Sequence, residues 1–80
     1  MLKEEDIING KEYYFVTDYS DYQDYSGSYI TIIRPLEDGT EIDKDEVGAM
    51  WLAETRDGFR ELNVYLDELY TDEKEYEVIL

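Results

Sequence analysis

Two stretches of this 80-residue chain carry the apolar and polar patterning of β-strands. Lys11 to Thr17 (KEYYFVT) and Ser28 to Arg34 (SYITIIR) are dense in Tyr, Phe, Val, Ile and Thr, side chains that suit a pleated, half-buried surface. In the second stretch Tyr29, Thr31 and Ile33 share one face, and Ile30 and Ile32 the other. Pro35 has no N–H to give a ladder, so it ends that strand or places it at an edge. Upstream, Leu2 to Ile8 predicts one helical turn or a short lead-in strand, broken by Asn9-Gly10.

The second half reads differently. Glu37-Asp38-Gly39-Thr40 is a turn signal, and Thr40 to Ile42 predicts a short third strand. Asp43 with Glu46 three residues on is a variant capping box, so a helix is expected from there, carrying Val47, Met50, Trp51 and Leu52 inward. Asp57-Gly58 breaks it. Phe59, Leu62, Leu66 and Leu69 recur at steps of three and four, which predicts a second helix from about Phe59 to Tyr70. Thr71 to Lys74 reads as a turn, and Glu75 to Leu80 (EYEVIL), with Tyr76 and Val78 alternating, as a closing strand. The expected fold is one α+β domain over residues 1–80: a small antiparallel sheet of three to four strands packed with two short helices. Tyr13, Tyr14, Phe15, Trp51, Phe59 and Leu66 are the expected core.

Composition bounds what such a domain does. Asp and Glu total 22 against 7 Lys plus Arg, a net charge of -15, which by itself lies near the composition of disordered acidic segments. Nine tyrosines, two phenylalanines and a tryptophan are too many for a solvated tail, so the chain is read as folded. Cysteine is absent, which excludes a disulfide framework and fits a reducing compartment. The first residues lack the basic and apolar regions of a signal peptide, and no apolar run approaches the roughly 20 residues of a membrane span. The cytoplasm is the expected location. An anionic bilayer and the phosphates of DNA or RNA would both repel this surface, so neither a membrane nor direct nucleic-acid contact is expected.

Catalysis finds little to work with. No histidine or cysteine is present, which removes the usual neutral-pH base, the thiolate nucleophile and the common zinc ligands. Ser20, Ser26 and Ser28 have no histidine partner, and no glycine-rich phosphate loop occurs. Carboxylate pairs remain, but with 22 acids some lie close by chance. Asp18, Asp21 and Asp24 recur every third residue, not at the alternate positions of a calcium-binding loop. No enzyme, cofactor or metal is expected.

The acids are grouped. Glu37, Asp38, Glu41, Asp43, Asp45 and Glu46 are answered only by Lys44, and Asp67, Glu68, Asp72, Glu73, Glu75 and Glu77 only by Lys74. Asp18-Tyr19-Ser20, Asp21-Tyr22-Gln23 and Asp24-Tyr25-Ser26 form three consecutive triplets with no base among them. Solvated faces are the ordinary explanation, yet a net charge of about 2 to 8 suffices to keep a small domain soluble. Carboxylates about 6.6 Å apart along a strand, or Cβ atoms about 5–6 Å apart on a helix, approximate the spacing of phosphates. They also pair bidentately with arginine, while tyrosine rings lie against guanidinium planes as bases do. Folding of the tyrosines back over the small core is the other reading, and both alternatives stand at this point. The expected contact residues are Asp18, Tyr19, Asp21, Tyr22, Asp24, Tyr25, Glu37, Asp38, Glu41, Asp43, Asp67, Glu68, Asp72 and Glu73, facing a basic protein surface.

In composition and layout, without a shared motif, the chain resembles phage-encoded inhibitors of host defence. These include anti-CRISPR proteins, inhibitors of uracil-DNA glycosylase and anti-restriction DNA mimics. The expected order of elements is similar to that of anti-CRISPR proteins that occupy the PAM-reading site of Cas9. The resemblance implies an acidic nucleic-acid mimic that blocks a nuclease or CRISPR effector. An immunity protein or antitoxin against a basic nuclease toxin is the alternative, and a non-inhibitory acidic interaction module a third.

Overall fold

The computed structural model describes residues 2–36 and 50–79. The architecture is α+β, with five antiparallel strands rather than three or four. They are β1 (Glu12–Phe15), β2 (Ser28–Pro35), β3 (Met50–Thr55), β4 (Glu61–Tyr65) and β5 (Leu69–Tyr70), in spatial order β4-β3-β2-β1-β5. Among the described residues helical structure is short: one α-helix, α1 (Glu73–Ile79), and 3-10 turns at Glu4–Asp6, Ser20–Tyr25 and Leu66–Glu68.

Two of the expected strands form where alternation placed them, and Pro35 is the last residue of β2. Three other expectations are corrected. Met50, Trp51 and Leu52 lie in β3, not in a helix; the Asp43/Glu46 capping box, Val47 and the expected strand at Thr40 to Ile42 fall outside the described residues. The helix expected over 59–70 is instead β4, a 3-10 turn and β5. The closing strand expected at Glu75 to Leu80 is α1. The layout of a sheet followed by two acidic helices is therefore not the one found over 50–70.

Period-two burial decides both strands. Trp51, Ala53 and Thr55 point inward from β3, and Leu62 and Val64 from β4. Phe59, expected in the core, is 87% exposed at the tip of the β3–β4 hairpin. Gly58 takes a left-handed φ of +72° there, which a side chain would resist. The Thr55 hydroxyl donates to Asp57 at 2.6 Å, and the backbone N–H groups of Phe59 and Arg60 donate to Thr55 Oγ1 at 3.2 Å. The Thr55 hydroxyl first, then the Phe59 N–H that also donates to Asp57 Oδ1 at 3.0 Å, holds the carboxyl of Asp57 below the usual range.

The sheet is forced to curl. β4 and β5 sit at opposite ends of the strand order, yet Tyr65 and Leu69 are four residues apart. Four residues reach about 14 Å, whereas four strand spacings in a flat sheet span about 19 Å. A bulge between Ile32 and Arg34 adds local bend to β2. One side of the curled sheet therefore encloses the core: Tyr13, Phe15, Ile30, Ile32, Trp51, Ala53, Leu62, Val64 and Leu69. The N-terminal turn closes one opening with Leu2 and Ile7. Tyr13, fully buried, donates its hydroxyl to Asp6 O and accepts from Ile8 N–H, each at 2.9 Å.

On the outer side β1, β2, β5 and α1 bring four tyrosines together. Tyr14 meets Tyr29 at 5.3 Å and Tyr76 at 5.9 Å, and Tyr70 meets Tyr76 at 4.9 Å. Tyr76 is thus the anchor of α1, whose Val78 is left exposed. The helix starts on Asp72, whose Oδ1 accepts from Glu75 N–H at 2.9 Å. Asp72 to Glu75 repeats the D-x-x-E spacing of a helix start, a signal in the sequence that the turn reading passed over.

Two outcomes are expected. Tyr13→Phe leaves Ile8 N–H and Asp6 C=O without their shared partner and lowers stability by about 1–3 kcal/mol in urea unfolding. The second concerns alkaline pH. Burial first, then Glu73 and the neighbouring tyrosines, raises the Tyr14 hydroxyl above its ordinary value, and burial with Tyr76 and Asp67 does the same for Tyr70. The unfolded chain then loses these protons first. The stabilisation is fully present below about pH 10 and is lost as pH rises through the folded values. Denaturant midpoints that stay flat from neutral pH to above pH 10 would count against the buried tyrosine cluster.

Candidate functional site

The D-Y triplets form the long connection between β1 and β2, wound into the 3-10 segment Ser20–Tyr25. Gln23 anchors it by donating Nε2 to Thr17 O at 2.8 Å, and Ser26 Oγ accepts from Thr17 N–H at 3.0 Å. Its three-residue period puts Asp21 and Asp24 on one side and Tyr22 and Tyr25 on another. Asp18, Asp21 and Asp24 are exposed, while Tyr22 and Tyr25 turn inward, half-buried against the core. Both rings thus cover part of the core, as the other reading of these tyrosines expected. Tyr19 stays 54% exposed, its ring edge-on to Tyr22 at 5.1 Å and its hydroxyl donating to Asp21 Oδ2 at 2.8 Å. That bond, more than the Asp21 charge, raises the Tyr19 hydroxyl above the ordinary value.

The segment lies along the free side of β4. The Tyr22 hydroxyl accepts from Asn63 N–H at 3.3 Å, and Glu68 Oε1 accepts from Tyr65 N–H at 2.9 Å. An edge strand offers such N–H groups to any other strand, and here side chains occupy two of them. Glu68 also accepts from the Thr17 hydroxyl, and its carbonyl accepts from Val16 N–H at 3.0 Å. Glu68 thus ties the 3-10 turn after β4 to the exit of β1, a structural duty that sequence grouping assigned to partner contact.

Arg60, next to the start of β4, lays its guanidinium over Tyr22 at 5.3 Å and Tyr25 at 5.4 Å. Hydrogen bonding to Tyr25, then the nearby rings and Asp21, favours its charged form further. Arg56, on the other side of the hairpin turn, lies over Tyr29 at 5.0 Å and pairs bidentately with Glu12, at 2.9 and 3.1 Å. This is the one ion pair formed between described residues.

The structure brings part of the expected contact set together. Tyr65, which sequence reasoning did not single out, lies close enough to Tyr19 to disfavour its ionisation. Tyr19 in turn bonds Asp21, while Asp67 lies exposed on the turn after β4, where its charge acts on Tyr70. Asp72 and Glu73 start α1 beside the other tyrosine cluster, where the Tyr29 hydroxyl accepts from Glu73 N–H at 3.1 Å. Glu37, Asp38, Glu41 and Asp43 lie outside the described residues. Their flanks meet, as Leu36 N–H donates to Met50 O at 2.9 Å, and Met50 pairs with Tyr65.

Sequence grouping also missed an acidic row on the outer sheet. Glu12, Thr31, Glu54 and Glu61 are register partners across β1, β2, β3 and β4. Only the paired strands bring together carboxylates so distant along the chain. Among the described residues no three His, Cys, Asp or Glu groups converge as a metal site requires, and no helix is long and apolar enough to cross a membrane. No family model, curated protein or solved structure matches the chain.

Removing the edge cover has a defined cost. Glu68→Ala frees Tyr65 N–H and Thr17 Oγ1, and a loss of about 1–3 kcal/mol is expected in urea unfolding. Combined with Tyr22→Phe it exposes two strand-edge donors and favours self-association, read by sedimentation. A variant pair as stable and as monodisperse as the parent chain contradicts the edge role.

Proposed function

We propose that this chain is an acidic nucleic-acid mimic that inhibits by occupying a basic nucleic-acid-binding site on another protein. The phage or mobile-element anti-defence class, which includes anti-CRISPR proteins, is the setting this reading favours. The observation that carries it is the D-Y segment. Asp18, Asp21 and Asp24 face solvent, the last two on an anchored 3-10 turn and Asp18 just before it, and none pairs with a cation between described residues. Several other acids have structural work: Asp6, Asp57, Glu68 and Asp72 each bind backbone or side-chain donors nearby. Of the three aspartates Asp21 accepts from the Tyr19 hydroxyl and all three stay exposed, as do Tyr19 and Tyr65. Exposed carboxylates on a rigid support steer a cationic groove and pair with its arginines without a large ordering cost.

Tyr22 and Tyr25, as cover for the core, support the aspartates; the contacts proposed are Asp18, Tyr19, Asp21, Asp24 and Asp67. The protein would act in the cytoplasm, where such nucleases and effectors operate.

Capture from a nuclease-treated bacterial lysate tests this. The parent chain is expected to retain a basic nucleic-acid-binding protein that salt and added DNA both release. The triple variant D18N/D21N/D24N keeps its fold, since the amide oxygen placed at position 21 still accepts from the Tyr19 hydroxyl. At about 0.5 kcal/mol per exposed contact it should bind on the order of tenfold more weakly. Retention that ignores the three substitutions and salt alike rules out the mimic.

A further inference from the structure

The cleft between Tyr22 and Tyr25 already holds a guanidinium. Arg60 lies over both rings at 5.3 and 5.4 Å, inside the roughly 6 Å reach of a cation–π contact. The rings do not depend on Arg60 for their position. Both pack against the core, Tyr22 is bonded to Asn63 N–H, and Tyr19 braces it edge-on. Arg60, in contrast, is exposed and forms no ion pair between described residues. The two halves of the contact thus differ in support: a packed aromatic cleft beside exposed aspartates, covered by an exposed cation held, among described residues, only by those rings and a hydrogen bond to Tyr25.

We propose that this cleft is the seat for an arginine of the basic partner, and that Arg60 is a resident occupant which the partner's arginine displaces. The proposal rests on the reading that the partner is basic, and specifies which of its side chains is recognised. Arginine suits the seat better than lysine. Its planar guanidinium stacks on a tyrosine ring while its N–H fork reaches the Asp21 or Asp24 carboxylate, whereas an ammonium is a hydrated point charge. An exposed cation–π contact is weak, so exchanging one guanidinium for another costs little. Arg60 therefore lowers affinity by the fraction of time it fills the cleft and limits capture of cations that cannot compete with it.

The test titrates the full chain with an oligoarginine peptide and an oligolysine peptide of equal length. Arg60→Gln is compared with Arg34→Gln, which changes the net charge equally. Arg34 is exposed and its side chain reaches only the neighbouring Pro35 carbonyl, at 3.4 Å. Expected is a gain for R60Q over R34Q of about three- to fivefold on the arginine peptide, and a smaller one on the lysine peptide. Adding Tyr25→Leu to R60Q should erase the gain, with thermal unfolding confirming that each variant is folded. R60K, which keeps the charge but stacks less well, should fall between the parent and R60Q, and serves if R60Q does not fold. Equal binding by R60Q and R34Q, or R60K no tighter than the parent, overturns the seat. If that binding still weakens with salt, the acidic-surface reading survives. Peptide binding absent in every variant overturns both.

Discussion

A short link between opposite edges governs this fold. Only Leu66–Glu68 separates β4 from β5, although three strands lie between them in the sheet. That constraint curls the sheet around a single buried side and turns every inward residue toward the same cluster. It also leaves a gap between the free side of β4 and the exit of β1, where the long β1–β2 connection lies. Closure of the core and placement of the D-Y segment are thus two results of one geometric requirement.

Tyrosine carries most of the adjustment. One of the nine is in the core, four clamp α1 to the outer sheet, and four gather around β4 and its cover. Such rings combine large apolar area with a hydroxyl that accepts or donates at its far end. A chain so short of apolar aliphatic residues relative to its charge can therefore build cover that is dry beneath and polar outside. The carboxylates then divide between those that finish backbone hydrogen bonding and those left facing solvent.

Legibility in the sequence followed the strength of local alternation. Glu12–Phe15 and Ser28–Pro35 were readable because aromatic and β-branched residues coincide with period two and a proline marks the end. Met50 to Ala53 is an unbroken apolar run of good helix formers, so propensity pointed one way and the register with β2 and β4 the other. Phe59, Leu62, Leu66 and Leu69 match helical steps because a 3-10 turn resets the phase between two strands; Leu62 and Val64, two apart, were the better guide. At the site, the exposure of Asp18, Asp21 and Asp24 followed from charge alone. The inward turn of Tyr22 and Tyr25 depended on a distant β4 edge that no local pattern announces.

Glu54 and Glu61 are direct cross-strand neighbours on the outer sheet, with Glu12 two strands away in the same row. Like charges set opposite one another weaken the ladder that joins them. Counterions that relieve this repulsion would at the same time mask the aspartates from the cationic groove proposed for them. On that proposal ionic strength acts on the molecule in two opposed senses: brine that firms the free domain would make it a poorer ligand, and dilute medium the reverse.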